Sequence, residues 1–224
     1  MTPEQTRAQL EAITTSRVEL SLCDEQFYPS VRDSGNGDVM LTIPGTPNLS
    51  VAMRNINYSE IYEELERSKS FNFRMLDGAL IQLLYTFKNG AIESHRLAYF
   101  PSPILEAFQN EPEIYENDEI YADIVKRNVV PFPIRFDYSE SLARHIDIRH
   151  PKSHLTLGQY QNCRIPVHSP LTPIVFITFL LRNFYNTAYH LHEGRLNIPL
   201  TYFPECISEN ERGVPHIAVS LVTA

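Results

Sequence analysis

Three apolar runs separated by glycine turns form the clearest pattern in the chain. Residues 71–76 and 79–87 are rich in Phe, Leu, Ile and Tyr, Asp77-Gly78 and Lys88-Asn89-Gly90 punctuate them, and a third run over 91–100 follows. Such runs, joined by Asp-Gly and Asn-Gly steps, predict an antiparallel meander, because glycine and asparagine tolerate the left-handed backbone of tight hairpins. Upstream, Ser34-Gly35-Asn36-Gly37-Asp38 predicts a turn into a short strand over 39–43. Downstream, strands are predicted at 134–138, 154–157, 164–168 and 216–222, with 154–157 and 164–168 pairing as a hairpin beyond the Gly158 turn.

The helical signals lie around these runs. Thr2-Pro3-Glu4-Gln5 has a capping-box spacing with proline at the first helical position, and Leu10 and Ile13 share one face. Near Val18 the pattern turns to alternation (Val18, Leu20, Leu22), which predicts a strand there. A charged helix over 59–69 sets Ile61 and Leu65 one turn apart, and short helical pieces are predicted over 103–127, interrupted at Pro112. Thr172-Pro173 opens what the punctuation predicts as the longest helix, ending at Gly194 with His190 and His192 in its last turn, where the helix dipole favours them. Strands in runs with helices at the ends indicate the α+β class: a largely antiparallel sheet, flanking helices and one long helix late in the chain. The expected organisation is a single domain over 1–224 with an N-terminal subregion, 1–56, set off by the Pro/Gly-rich stretch that begins at residue 44.

Composition narrows the function classes. With 224 residues and 43% hydrophobic content, the chain can bury a core without disulfides or metal. Cys23, Cys163 and Cys206 are odd in number, far apart and without a CxxC pair, which excludes a disulfide scaffold or zinc ribbon and suits reduced thiols in the cytoplasm. The start lacks a basic segment followed by an apolar run, and the most apolar stretch, 174–181, is far shorter than the roughly 20 residues of a bilayer span. A cytoplasmic protein without membrane contact is therefore expected. Its 19 Lys and Arg against 27 Asp and Glu give a formal net charge of -8, which argues against nonspecific DNA binding. The charge is unevenly spread. An acidic run over 106–123 has no Lys or Arg, whereas Arg144, Arg149, Lys152 and Arg164 form a local basic patch that offers RNA as an alternative partner.

The densest polar cluster follows Asp137-Tyr138-Ser139-Glu140 and holds His145, His150 and His154 among the cations of that patch. Imidazole titrates near neutrality, so histidines beside arginines can move protons while a guanidinium holds phosphate. Read as a site, the cluster is a metal-independent RNase or phosphodiesterase with catalytic His145, His150 and His154 and anion-binding Arg149 and Arg164. Read structurally, it is a proline-stiffened, solvated loop that adorns a packed scaffold. Asp137, His150 and His154 offer metal donors, but no ligand spacing fixes a geometry, so no metal is expected. No GxxxxGK[ST], GxGxxG or GxSxG occurs, and no cofactor is expected. Strand alternation places His95 and Arg96 on opposite faces.

Two resemblances follow from particular residues. His154-Leu155-Thr156-Leu157 resembles one half of a two-histidine phosphoesterase site, but the second candidate, His216-Ile217-Ala218-Val219, has alanine where a hydroxyl would bind phosphate. The motifs His95-Arg96-Leu97-x-Tyr99-Phe100-Pro101, Pro133-Ile134-Arg135-Phe136-Asp137, His150-Pro151-x-Ser153-His154-Leu155 and Cys163-Arg164-Ile165-Pro166, with Arg182-Asn183-Phe184-Tyr185, together resemble an uncharacterised family of bacterial domains of unknown function over about residues 70–190. The resemblance implies a bacterial cytosolic protein whose scattered distribution suggests a defence-associated gene cassette, and it carries over no catalytic residue. The expectation adopted is a binding or accessory subunit of a bacterial multi-component system, antiviral defence being the proposed setting. It would act through contacts with protein partners of the same system, since no catalytic motif is complete and the acidic and basic segments are separated. The RNase/phosphodiesterase is the alternative. Oligomeric state stays open.

Overall fold

The structure, a computed structural model, describes residues 1–19, 22–43, 56–103, 132–141, 143, 145–160, 162–192 and 198–219. Nine strands form one sheet: β1 (Cys23–Gln26), β2 (Ser30–Asp33), β3 (Asp38–Thr42), β4 (Phe73–Met75), β5 (Leu80–Lys88), β6 (Ala91–Phe100), β7 (Ile134–Ser139), β8 (Ser153–Leu157) and β9 (Ile165–Pro166). The order is β1-β4-β5-β6-β7-β8-β9, and every strand pair is antiparallel. β3 continues the edge of β5 beyond β4 and carries β2 outside it. The predicted meander is β4–β5–β6. Its second turn needs left-handed backbone at both central residues, and Asn89 (φ 51°) and Gly90 (φ 78°) supply it between paired Lys88 and Ala91.

Alternation along the strands separates two faces. His95, Leu97 and Tyr99 of β6 point to one face, where Leu83, Tyr85, Phe136 and Leu155 complete the larger core. Three helices adjoin this face: α1 (Pro3–Glu19), α3 (Pro173–Phe184) and α4 (Asn186–His192). α1 buries Leu10 and Ile13, and its Gln9 Oε1 accepts from the Ile174 amide of α3 at 3.3 Å. Phe136 meets Phe176 and Phe179 edge-on at 5.9 and 5.4 Å. On the opposite face, α2 (Tyr58–Arg67) packs Ile61, Tyr62 and Leu65 on Leu80, Ala98 and Phe100, covering one end of the sheet. A short α5 (Glu209–Arg212) is closed by a capping box between Ser208 and Glu211.

The antiparallel sheet with flanking helices agrees with the α+β expectation, and three details are corrected. The late helix is interrupted: Tyr185 leaves helical geometry (φ -132°, ψ 51°), because its buried hydroxyl reaches both Asp77 oxygens, at 3.0 and 2.9 Å, across the core. The longest described helix is instead α1, with 17 residues, opened by the Thr2–Gln5 capping bonds that its sequence predicts. Val18 belongs to α1, since three alternating residues do not outweigh the propagation of a capped helix. The predicted strand at 216–222 makes, in its described part, a single parallel bridge from Ile217 to Val167, after Pro215, which has no amide to donate. The predicted helical pieces and acidic run between 104 and 131, and most of the proposed boundary near 44–58, lie outside the described residues.

Candidate anion-binding face

The sheet register assembles a polar floor on the same face as α2, beyond the part that α2 covers among the described residues. Leu84, Arg96, Asp137 and His154 stand side by side across β5, β6, β7 and β8, and Gln82, Ala98, Arg135 and Thr156 form the next row. Arg135 and Asp137 are two residues apart on β7 and share its face, while Arg96 is the direct cross-strand neighbour of Asp137. Asp137 therefore accepts from both guanidiniums: Arg96 Nε at 3.0 Å on Oδ1 and Arg135 Nε at 2.9 Å on Oδ2. Burial pushes the Asp137 carboxyl up, but Arg135, Arg96 and His154 outweigh it and hold the group below the usual carboxylate range. Two cations locked around one anion leave a preorganised positive charge on the floor.

His154 and His150 stand beside this ladder. His154 is buried, and its Nδ1 lies 3.0 Å from the Pro151 carbonyl, which can only accept; the ring proton is on Nδ1 and Nε2 carries the lone pair. The His150 ring lies 5.3 Å away, centroid to centroid. Burial lowers the His154 pKa to about 4 against the pull of Asp137, with His150 and Arg164 acting in the same direction as burial. His95, on the core face, is also lowered to about 4 by burial, and its Nε2 accepts from the Leu171 amide at 3.0 Å.

These depressed histidines make stability depend on pH. The unfolded chain takes up their protons near pH 6.5 and the folded chain only near 4, so their stabilisation is complete above 6.5 and is lost as pH falls toward 4. Each imidazole accounts for on the order of 3 kcal/mol across that window. Asp77, held above the usual range by burial, titrates in the opposite sense, so a comparison with a variant isolates the imidazole. Urea unfolding between pH 7 and 4.5 is expected to show a shallower loss in His95→Gln, whose amide oxygen can still accept from Leu171. Equal slopes in variant and wild type would contradict a buried neutral His95.

The third histidine is engaged elsewhere. Residues 146–150 form a tight hairpin closed by the Ile146–His150 bridge, and Ile148 at its tip adopts φ 65°, a left-handed conformation unfavourable for a β-branched residue. Asp147 fastens this hairpin to α5 by accepting from Ser208 Oγ and Asn210 Nδ2. His145 Nε2 lies 3.4 Å from Glu211 Oε1, and Glu211 Oε2 accepts from the Ser208 amide at 3.0 Å. Donor atoms of His145, Asp147 and Glu211 all lie within 4.8 Å of one another. Every oxygen of the two carboxylates already accepts a hydrogen bond within the chain, so the group acts as a staple between hairpin and helix.

The sequence-predicted site residues are thus divided. His150, His154 and Arg164 line one concavity of about 1350 Å³. His145 lines its wall but turns Nε2 to Glu211. Arg149 is exposed and is not among the lining residues, and Arg144 lies outside the described residues. His216 neighbours His168, not His154, so the two-histidine phosphoesterase arrangement is not assembled. Cys163 Sγ accepts from the Leu157 amide at 3.4 Å, a structural role. Sequence reasoning passed over Arg135 and the pairing of Arg96 with Asp137. The i, i+2 spacing of Arg135 and Asp137 in a predicted strand was the available signal.

An antiparallel α+β sheet with its main helices on one face and a cation-rich hollow on the other defines the class of this protein. The chain belongs to the DUF2290 family of uncharacterized conserved proteins, whose family model matches residues 22–219 and so spans the motifs between His95 and Tyr185 that carried the resemblance. No curated protein and no solved structure matches the chain. Among the described residues, no helix is long and apolar enough to cross a membrane.

Proposed function

We propose that the concave face binds the backbone of single-stranded nucleic acid. One observation carries this reading: the described lining holds five cations (Arg32, Arg96, Arg135, Lys152 and Arg164) against two carboxylates (Glu93 and Asp137), in a chain whose formal net charge is -8. Glu140, which accepts from Lys152 at 2.8 Å, moderates this excess without cancelling it. Guanidiniums fixed by a shared carboxylate suit phosphate oxygens. The hollow, about 1350 Å³, exceeds the roughly 300–1,000 Å³ of a small-molecule pocket. Tyr160, 73% exposed on its rim, offers a stacking surface for a base.

A second reading, an accessory subunit that docks a protein partner in a bacterial antiviral defence system, draws on the stapled hairpin. It holds Ile146 (59% exposed) and Ile148 (44%) in solvent. Fluorescence anisotropy with a labelled single-stranded oligonucleotide separates the two. Nucleic-acid binding predicts a plot of log affinity against log salt with slope about -2, for about three phosphate contacts at roughly 0.7 each. Arg164→Ala should weaken binding and flatten that slope by about 0.7. Absence of binding at low salt, with copurification of a neighbouring gene product that Ile146→Asp abolishes, would replace the first reading by the second.

A further inference from the structure

We infer that this face cleaves RNA by internal transesterification, with His154 as general base and His150 as general acid. The inference rests on the binding proposal and adds a reaction to it. Three features carry it. The His154 tautomer is fixed by the bond from Nδ1 to Pro151 O, which leaves Nε2 as a proton acceptor. The second imidazole lies 5.3 Å away, centroid to centroid, and both rings line the hollow that would receive one phosphodiester. Arg164 and the Asp137-bound Arg96 line the same hollow, where guanidiniums can meet charge on the non-bridging oxygens.

The reaction needs no co-reactant beyond the substrate. His154 Nε2 takes the proton of a ribose 2′-hydroxyl as the 2′-oxygen bonds to phosphorus. The bond from phosphorus to the 5′-oxygen breaks, and that oxygen takes a proton from the His150 imidazolium. The products are a 2′,3′-cyclic phosphate and a free 5′-hydroxyl. His154 ends protonated and His150 neutral, and exchange with solvent restores both. Because the nucleophile is the 2′-hydroxyl, the substrate class is RNA, and DNA of the same sequence binds without being cut.

The full-length chain, incubated in a chelator with a short single-stranded RNA and with its all-deoxy counterpart, tests this by mass spectrometry of the products. Only the RNA should be cut, leaving cyclic phosphate ends. His150→Ala and His154→Asn, the latter keeping a donor for Pro151 O, should each slow cleavage by about 100-fold or more while anisotropy shows RNA still bound. RNA that binds and stays intact would overturn the cleavage inference and leave the binding proposal standing. RNA that does not bind would overturn both. Cleavage unchanged in the two variants would also overturn the assignment.

Discussion

Asp137→Ala is expected to lower unfolding free energy by about 3 kcal/mol, the low end of the range for breaking a buried ion pair. The carboxylate is the shared acceptor of two neighbouring guanidiniums, and its loss leaves the charges of Arg96 and Arg135 facing each other on a largely dehydrated floor. Side-chain exposures of 17% for Asp137, 30% for Arg96 and 24% for Arg135 keep the effect below that of a fully enclosed triad. Asp137→Asn should cost nearly as much, because the charge and not the shape is what holds the arginines. Arg96→Met, Arg135→Met and Asp137→Leu combined should recover most of the loss, since an apolar replacement removes the charges together with their desolvation. Urea unfolding of the three proteins measures this. A loss below about 1 kcal/mol in Asp137→Ala would mean that solvent already screens the ladder as it does a surface pair.

Phe136→Ala is expected to cost about 3–5 kcal/mol, the usual range for deleting a buried aromatic ring. Phe136 lies on β7 next to Asp137 but points the other way, between Phe176 and Phe179 of α3, so it locks the late helix to the sheet. Phe136→Leu should recover more than half of that loss by refilling most of the volume. The two strand neighbours thereby separate stability from binding: Phe136→Leu should leave oligonucleotide affinity unchanged, whereas Asp137 substitutions should alter both. Thermal unfolding and anisotropy on the same preparations check the contrast.

Much of the fold was legible wherever local chemistry decides. Asn89-Gly90 dictates its own hairpin, and Thr2 and Gln5 their own cap, so both follow from neighbours a few residues away. The break at Tyr185 was hidden because its cause, Asp77, lies 108 residues upstream and no Gly or Pro marks the site. The candidate site shows the same division. Histidines 150 and 154 were visible as a cluster, and strand alternation places Arg135 and Asp137 on one face. That Arg96 faces Asp137 is a fact of register between strands 41 residues apart, which periodicity does not encode. His145 was grouped with the other histidines by proximity in sequence, yet Glu211, 66 residues on, draws it into the staple. The signal for that partner was present, since Ser208 and Glu211 have the spacing of a capping box.

The most direct test is a heteronuclear magnetic resonance titration of the whole chain with a short single-stranded RNA made non-cleavable by 2′-O-methyl groups. Arginine Nε–H signals of Arg96, Arg135 and Arg164 and the ring signals of His154 are predicted to move together and saturate, while methyl signals of Ile177 and Leu180, behind the sheet, stay in place. Saturating oligonucleotide that leaves those arginine and histidine signals unmoved would contradict binding at this face.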